Sequence, residues 1–130
     1  MGAHVLVIEE SPDLCRLFEY LLRSAGYSVR TIHDSAAAPA TLACFAPDLI
    51  IFDWSLNNAA GLQWVESLRR ERLGEALPML FVCGDLPARW QLAQLGRLGV
   101  ALAEKPFDIH QLCAQVASLL GERERVFGEA

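Results

Sequence analysis

The chain lacks the usual marks of a metal or redox cysteine site. Its four cysteines, Cys15, Cys44, Cys83 and Cys113, are widely spaced singles, and no C-x-x-C occurs. That excludes the common zinc and dithiol motifs, and Cys15, Cys44 and Cys113 read as small core residues. Long apolar runs are missing too. Hydrophobic residues make up 53% of the 130, yet no stretch approaches the roughly 20 residues that a membrane span needs. Met1-Gly2-Ala3-His4 contains no basic region, and the apolar run after it is too short for a signal peptide. A cytoplasmic location without membrane contact is therefore expected. Positive charge is scarce, with 11 Lys and Arg against 16 Asp and Glu for a net charge of -5. Nonspecific nucleic-acid binding, which needs a basic face to neutralise phosphates, is accordingly not expected. There are no repeats and no low-complexity tract, and the length suits one domain with a real core.

What is present is a regular alternation of short apolar runs and amphipathic segments. The run Leu49-Ile50-Ile51-Phe52 reads as a strand buried on both faces, and it ends on a carboxylate, Asp53. An earlier run, residues 4–8, is closed by Glu9-Glu10. Ser11 then suits a helix N-cap and Pro12 the first helical position. Leu14, Leu17, Phe18, Leu21, Leu22 and Ala25 follow at helical spacing, and Gly26 falls just past the helix end. Residues 27–32 form a second strand. Residues 35–45 are Ala-rich, but Pro39 would remove a backbone donor inside a helix. The regular part is expected to begin near Pro39, with 36–38 irregular.

A third helix is expected over about 61–72, presenting Leu62, Val65 and Leu68 to the core. A fourth strand spans 79–83. A helix over 86–97 follows, with Trp90 expected to pack inward. Gly99 breaks that helix, and 100–103 is a fifth strand. Asp108 caps a last helix whose apolar face runs from Ile109 to Leu120, and Gly121 ends it.

Strands alternating with helices imply a parallel sheet with right-handed crossovers. Five strands are too few for a two-half dinucleotide fold, and the compact alternative has strand order 2-1-3-4-5. The domain is expected to cover 1–121, with 122–130 as a tail or the start of a linker. In this order the crevice lies between the first and third strands. Glu9 and Glu10 end the first strand and Asp53 the third, so three carboxylates from remote positions reach one rim. Cys83 ends the fourth strand at that rim, and Lys105 follows the fifth.

In order and spacing, this set resembles the receiver domain of two-component response regulators over roughly residues 4–121. It comprises the acidic pair, Asp53, Gly61 eight residues later, and Lys105-Pro106-Phe107. The resemblance implies a three-layer (βα)5 flavodoxin-like sandwich. It implies that Asp53 accepts a phosphoryl group from a sensor histidine kinase or a phosphotransfer protein. It further implies Mg²⁺ held by Asp53, Glu10 and the backbone carbonyl of Ser55, with Glu9 acting through water. Lys105 would pair with a phosphoryl oxygen, aimed by a cis Lys105–Pro106 peptide. Such a domain is not an enzyme beyond its own dephosphorylation. It passes its signal through the face made by helix 4, strand 5 and helix 5 to an effector domain or partner protein, with homodimers allowed. Nine residues follow residue 121, so output is expected through another protein or a longer regulator.

Four residues depart from the family pattern. Glu9-Glu10 replace a pair that usually contains Asp, and Mg²⁺ demands near-ideal octahedral geometry. Cys83, a weak donor, stands where a Ser or Thr hydroxyl is usual. Leu102 occupies the place of the switch aromatic, and Asn57 that of a loop proline. These changes support an alternative reading, a degenerate pseudo-receiver acting as a phosphorylation-independent interaction module. A flavin- or nucleotide-binding relative is disfavoured, because Glu9-Glu10-Ser11-Pro12 would repel a phosphate. A cobalamin module is disfavoured because no His follows Asp53 in its loop. Trp54 is expected to lie over the crevice, and Ser55 and Asp85 flank the site. His4, His33 and His110 are isolated, with no ligand spacing between them.

Overall fold

The computed structural model describes residues 2–53, 58–71 and 76–121. The strands are β1 (His4–Ile8), β2 (Ser28–Ile32), β3 (Leu49–Asp53), β4 (Met79–Cys83) and β5 (Val100–Glu104). The helices are α1 (Pro12–Ser24), α2 (Ala38–Cys44), α3 (Asn58–Arg70), α4 (Arg89–Arg97) and α5 (Ile109–Leu119), and one 3-10 turn, Ser35–Ala37, precedes α2. All strand pairings are parallel, in the order β2-β1-β3-β4-β5. The expected architecture and strand order are those observed.

Period-two alternation splits the strand side chains between two layers of helices. Leu6, Ile8, Ile50, Phe52, Met79 and Phe81 face one core, covered by Leu62, Val65 and Leu68 of α3 and Leu95 of α4. Val5, Val7, Leu49, Ile51, Leu80 and Val82 face the other, covered by Phe18 and Leu22 of α1 and Leu112 and Val116 of α5. All five residues of β3 and of β4 are buried. That is why both are apolar up to their last residues rather than alternating. In the first core Phe52 stacks on Phe81 at 4.9 Å between ring centroids and on Trp64 at 5.4 Å.

The local signals act as expected at several ends. Ser11 Oγ accepts from Leu14 N–H at 3.3 Å, and the Asp108 carboxylate accepts from His110 and Gln111 N–H. Gly26, Gly99 and Gly121 hold positive φ of 96°, 72° and 71° where chains leave helices, a conformation that disfavours any Cβ. The Pro39 region behaves as read, with α2 beginning at Ala38 after the 3-10 turn.

Other expectations are corrected. α3 begins at Asn58 rather than near 61, since Asn58, Ala59 and Ala60 carry no large apolar side chain to extend the periodic signal back past Gly61. α4 begins at Arg89, after Pro87, rather than at 86. Trp90 then lies in the first turn of a short helix whose buried residue is Leu95, and it is 65% exposed instead of packed. Cys15 and Cys113 are buried as expected, but Cys44 is exposed, as the last residue of a seven-residue helix that buries only Ala38. β5 runs one residue further than expected, to Glu104. No described helix is long and apolar enough to cross a membrane.

At the rim opposite the strand C-termini, Arg69 of α3 closes the fold. Its guanidinium donates to the carbonyls of Leu98 and Leu77, at the ends of two other segments. Burial holds its pKa below the ordinary arginine value. Arg69→Ala is expected to lower stability by about 2 kcal/mol, because it strands two carbonyls that a charged donor satisfies. Urea unfolding of the variant beside the wild type checks this.

Candidate functional site

The site grows out of strand register. Ile8 pairs with Phe52, so the next residues, Glu9 and Asp53, come side by side where β1 and β3 end. Cys83 at the end of β4 pairs with Glu104, and Lys105 follows directly, its N–H donating to the Cys83 carbonyl at 2.8 Å. The Lys105–Pro106 peptide is cis. The lysine side chain crosses back over the sheet. Its ammonium donates to Asp53 Oδ2 at 3.1 Å and lies 3.9 Å from Glu9 Oε1. Asp53 and Glu9 are 5% and 3% exposed, making them the buried acidic pair of the described residues.

Glu9 is held at nearly every polar atom. Its backbone N–H donates to Ile32 O at 2.9 Å, continuing the β1–β2 ladder. Its Oε2 accepts from Ser11 N–H at 3.0 Å. Its carbonyl oxygen lies 3.3 Å from Cys15 Sγ and 3.1 Å from His33 Nδ1. Oε1 is buried and makes no hydrogen bond.

Burial pushes the Glu9 carboxyl up to about 7, with the Asp53 carboxylate raising it further and the Ser11 N–H and Lys105 opposing. The folded chain therefore keeps a proton on Glu9 that the unfolded chain releases above its ordinary value near 4.5. Without a divalent cation, this contribution to stability is fully present below that value. It disappears as pH rises through about 7 and amounts to roughly 3 kcal/mol. Glu9→Gln cannot titrate, so the loss of stability between pH 5 and pH 8 is expected to shrink by up to that amount. Urea unfolding at both pH values, in the presence of a chelator, measures it.

The other candidate residues fall as follows. Glu10 is exposed, whereas Glu9 turns inward. Cys83 is buried, with its thiol directed at the Ala103 carbonyl at 3.7 Å. Burial raises its pKa, as do Glu104 and Asp53, so it remains a thiol. Leu102 is half-buried, and its carbonyl accepts from Gln115 Nε2 of α5 at 2.9 Å. Ser55, Trp54 and Asn57 lie outside the described residues, as does the 122–130 tail. Among the described residues, no group of three His, Cys, Asp or Glu side chains is arranged to hold a metal ion. Sequence spacing did not reveal that His33 and Cys15 meet at the Glu9 carbonyl. They are 18 positions apart, His33 just after β2 and Cys15 on α1, and only the tertiary fold joins them.

A family model for the response regulator receiver domain matches residues 5–117, and the chain belongs to that family. It is 29% identical over 116 residues to the probable transcriptional regulatory protein TcrX of Mycobacterium tuberculosis, covering 89% of this chain and 49% of that protein. It is also 29% identical over 114 residues to the nitrogen assimilation regulatory protein NtrX of Azorhizobium caulinodans, covering 86% of this chain and 25% of that protein. The chain thus spans half or less of the length of these relatives. Among solved structures it superposes on the chemotaxis protein CheY4 of Vibrio cholerae with a TM-score of 0.81 at 22% identity, covering 92% of this chain and 99% of that one. That likeness concerns the fold. As a receiver domain, the chain is a two-component signalling module.

Proposed function

We propose that this domain accepts a phosphoryl group from a histidine kinase, or from a phosphotransfer protein, on the carboxylate of Asp53. The observation that carries the reading is the Lys105 ammonium between Asp53 Oδ2 at 3.1 Å and Glu9 Oε1 at 3.9 Å. A cation held at the end of a central strand, beside a buried carboxylate, is what an incoming phosphoryl group requires.

An oxygen of Asp53 attacks phosphorus. A P–O bond forms as the P–N bond to the donor histidine breaks, and the imidazole leaves with its electron pair. Phosphoryl transfer depends on positioning and charge neutralisation more than on covalent help. Lys105 exchanges its carboxylate oxygen for a phosphoryl oxygen. Cys83 offers no hydroxyl to the product, and its thiol has a carbonyl partner already.

The residues present fit a hard divalent cation in one respect that counts: Glu9 Oε1 is a buried oxygen to which no N–H donates, and it lies next to Asp53. Asp53 and Glu9, with the Ser55 carbonyl, would hold Mg²⁺, and the exposed Glu10 would have to turn inward to join them. When bound, the ion neutralises charge developing on the phosphoryl oxygens. The exposed Trp90 and Leu86, at the start of α4 and just before it, support output through the face of α4, β5 and α5. That face would engage an effector domain, a partner protein or a second copy.

The test is incubation with Mg²⁺ and either beryllofluoride or a small phosphodonor, followed by intact mass and Trp54 fluorescence. One adduct on Asp53 is expected; its absence under both conditions would overturn the reading. The second reading, a pseudo-receiver that docks without phosphorylation, draws support from the Cys83 thiol and from Leu102 at the switch position. It predicts that Asp53→Ala leaves partner binding unchanged.

A further inference from the structure

We infer that His33 and Cys15 are positioning residues. Together they clamp the backbone carbonyl of Glu9 and so aim its carboxylate at Asp53 and Lys105. The inference rests on the receiver reading of the site and adds two residues to it.

His33 Nδ1 lies 3.1 Å from Glu9 O, Cys15 Sγ lies 3.3 Å from the same oxygen, and the two side-chain atoms are 3.6 Å apart. A carbonyl oxygen has two lone pairs and no proton. A bare Nδ1 could accept from the Cys15 thiol at 3.6 Å, but that would draw the thiol proton away from the nearer Glu9 carbonyl at 3.3 Å and set an Nδ1 lone pair against the same oxygen at 3.1 Å. The clamp accordingly assigns a proton to Nδ1, donated to the Glu9 carbonyl, with the S–H donating to the second lone pair.

With these two bonds, Glu9 is held at its backbone nitrogen by Ile32, at its backbone oxygen by His33 and Cys15, and at Oε2 by Ser11. Oε1 is then the carboxylate oxygen left to face Lys105. A Glu stem has one more rotatable bond than Asp, so a site built on Glu gains more from a fixed backbone. Outer-shell bonds of this kind commonly tune metal affinity by a factor of ten or more.

The experiment uses the full chain with Mg²⁺ alone. The variants are His33→Phe, which keeps a ring without the donor, and His33→Asn, whose amide can place a donor near the Nδ1 position. Side-chain ¹⁵N spectra of the wild type are expected to show a proton on Nδ1 with coupling through the hydrogen bond to the Glu9 carbonyl carbon. Calorimetry is expected to show Mg²⁺ binding weakened about tenfold in H33F and restored to within about twofold in H33N. A proton on Nε2 alone, H33F binding as tightly as wild type, or H33N as weak as H33F would each overturn the assignment.

Should wild type bind no Mg²⁺, the metal part of the receiver reading fails, and the clamp is judged by the Glu9 carboxyl ¹³C and Lys105 ammonium shifts. Shifts that move in H33F and return in H33N support it, and unmoved shifts refute it. If H33F does not fold, Cys15→Ala removes the other donor. It is expected to move the same measures in the same direction, and no change would count against the clamp.

Discussion

An Asp53→Asn chain is expected to form no phosphoryl or beryllofluoride adduct at all, while folding at least as well as the wild type. The two halves of this expectation have separate causes. The amide has no anionic oxygen to attack phosphorus, so the loss of transfer is complete rather than partial. The side chain keeps its shape, and two carboxylates buried next to each other become one. Asp53 is among the groups that raise the Glu9 pKa, so removing its charge lets Glu9 ionise more easily beside Lys105. A gain of about 1 kcal/mol at pH 8, without divalent cation, is the expected size. Intact mass after treatment with phosphodonor, and urea unfolding in chelator, make the two measurements. An adduct that persists in the variant would show that another residue is the acceptor.

The second large effect is expected one residue earlier. Phe52→Ala should lower stability by about 3–5 kcal/mol, the range for removing a buried aromatic. Phe52 is fully buried, with Trp64 on one side and Phe81 on the other. Its loss opens a cavity in the core between the sheet and α3. A domain of this size has about 5–15 kcal/mol in total, so the variant would be partly unfolded near 37 °C. Any drop in adduct formation would then follow the unfolded fraction and recover on cooling, unlike the loss in Asp53→Asn. Phe52→Leu fills most of the space and should lose much less. Equal stability of the alanine variant and wild type in urea would refute the packing argument.

The scaffold was readable in the chain because each strand reports its own environment. β3 and β4 have no polar residue before their last positions, and they are the strands buried along their whole length. The helix ends at Gly26 and Gly121 were legible for the same local reason. The convergence of Glu9, Asp53 and Lys105 followed from strand order, since parallel strands all deliver their last residues to one rim. Less legible was whatever depended on rotation about a helix axis. Trp90 and Cys44 are apolar residues on short helices, and a shift of a few positions in the α4 start decides which way Trp90 faces. The division of the acidic pair was also hidden. Glu9 continues the ladder through its bond to Ile32 and turns inward, whereas Glu10 is exposed. Neighbouring identical residues give no hint of that difference.

Lys105 touches three strands at once, through its own backbone to β4, its ammonium to β3 and its covalent continuity with β5. If Asp53 takes up a phosphoryl group as proposed, the displacement of Lys105 must be absorbed either by its flexible methylene stem or by the end of the edge strand. In the first case the event stays private to the crevice. In the second, the strain runs along β5 to Leu102, whose carbonyl is tied to Gln115, and α5 feels it. On that reading, the stiffness of one lysine side chain sets how far a local chemical event is audible from the outside of the molecule.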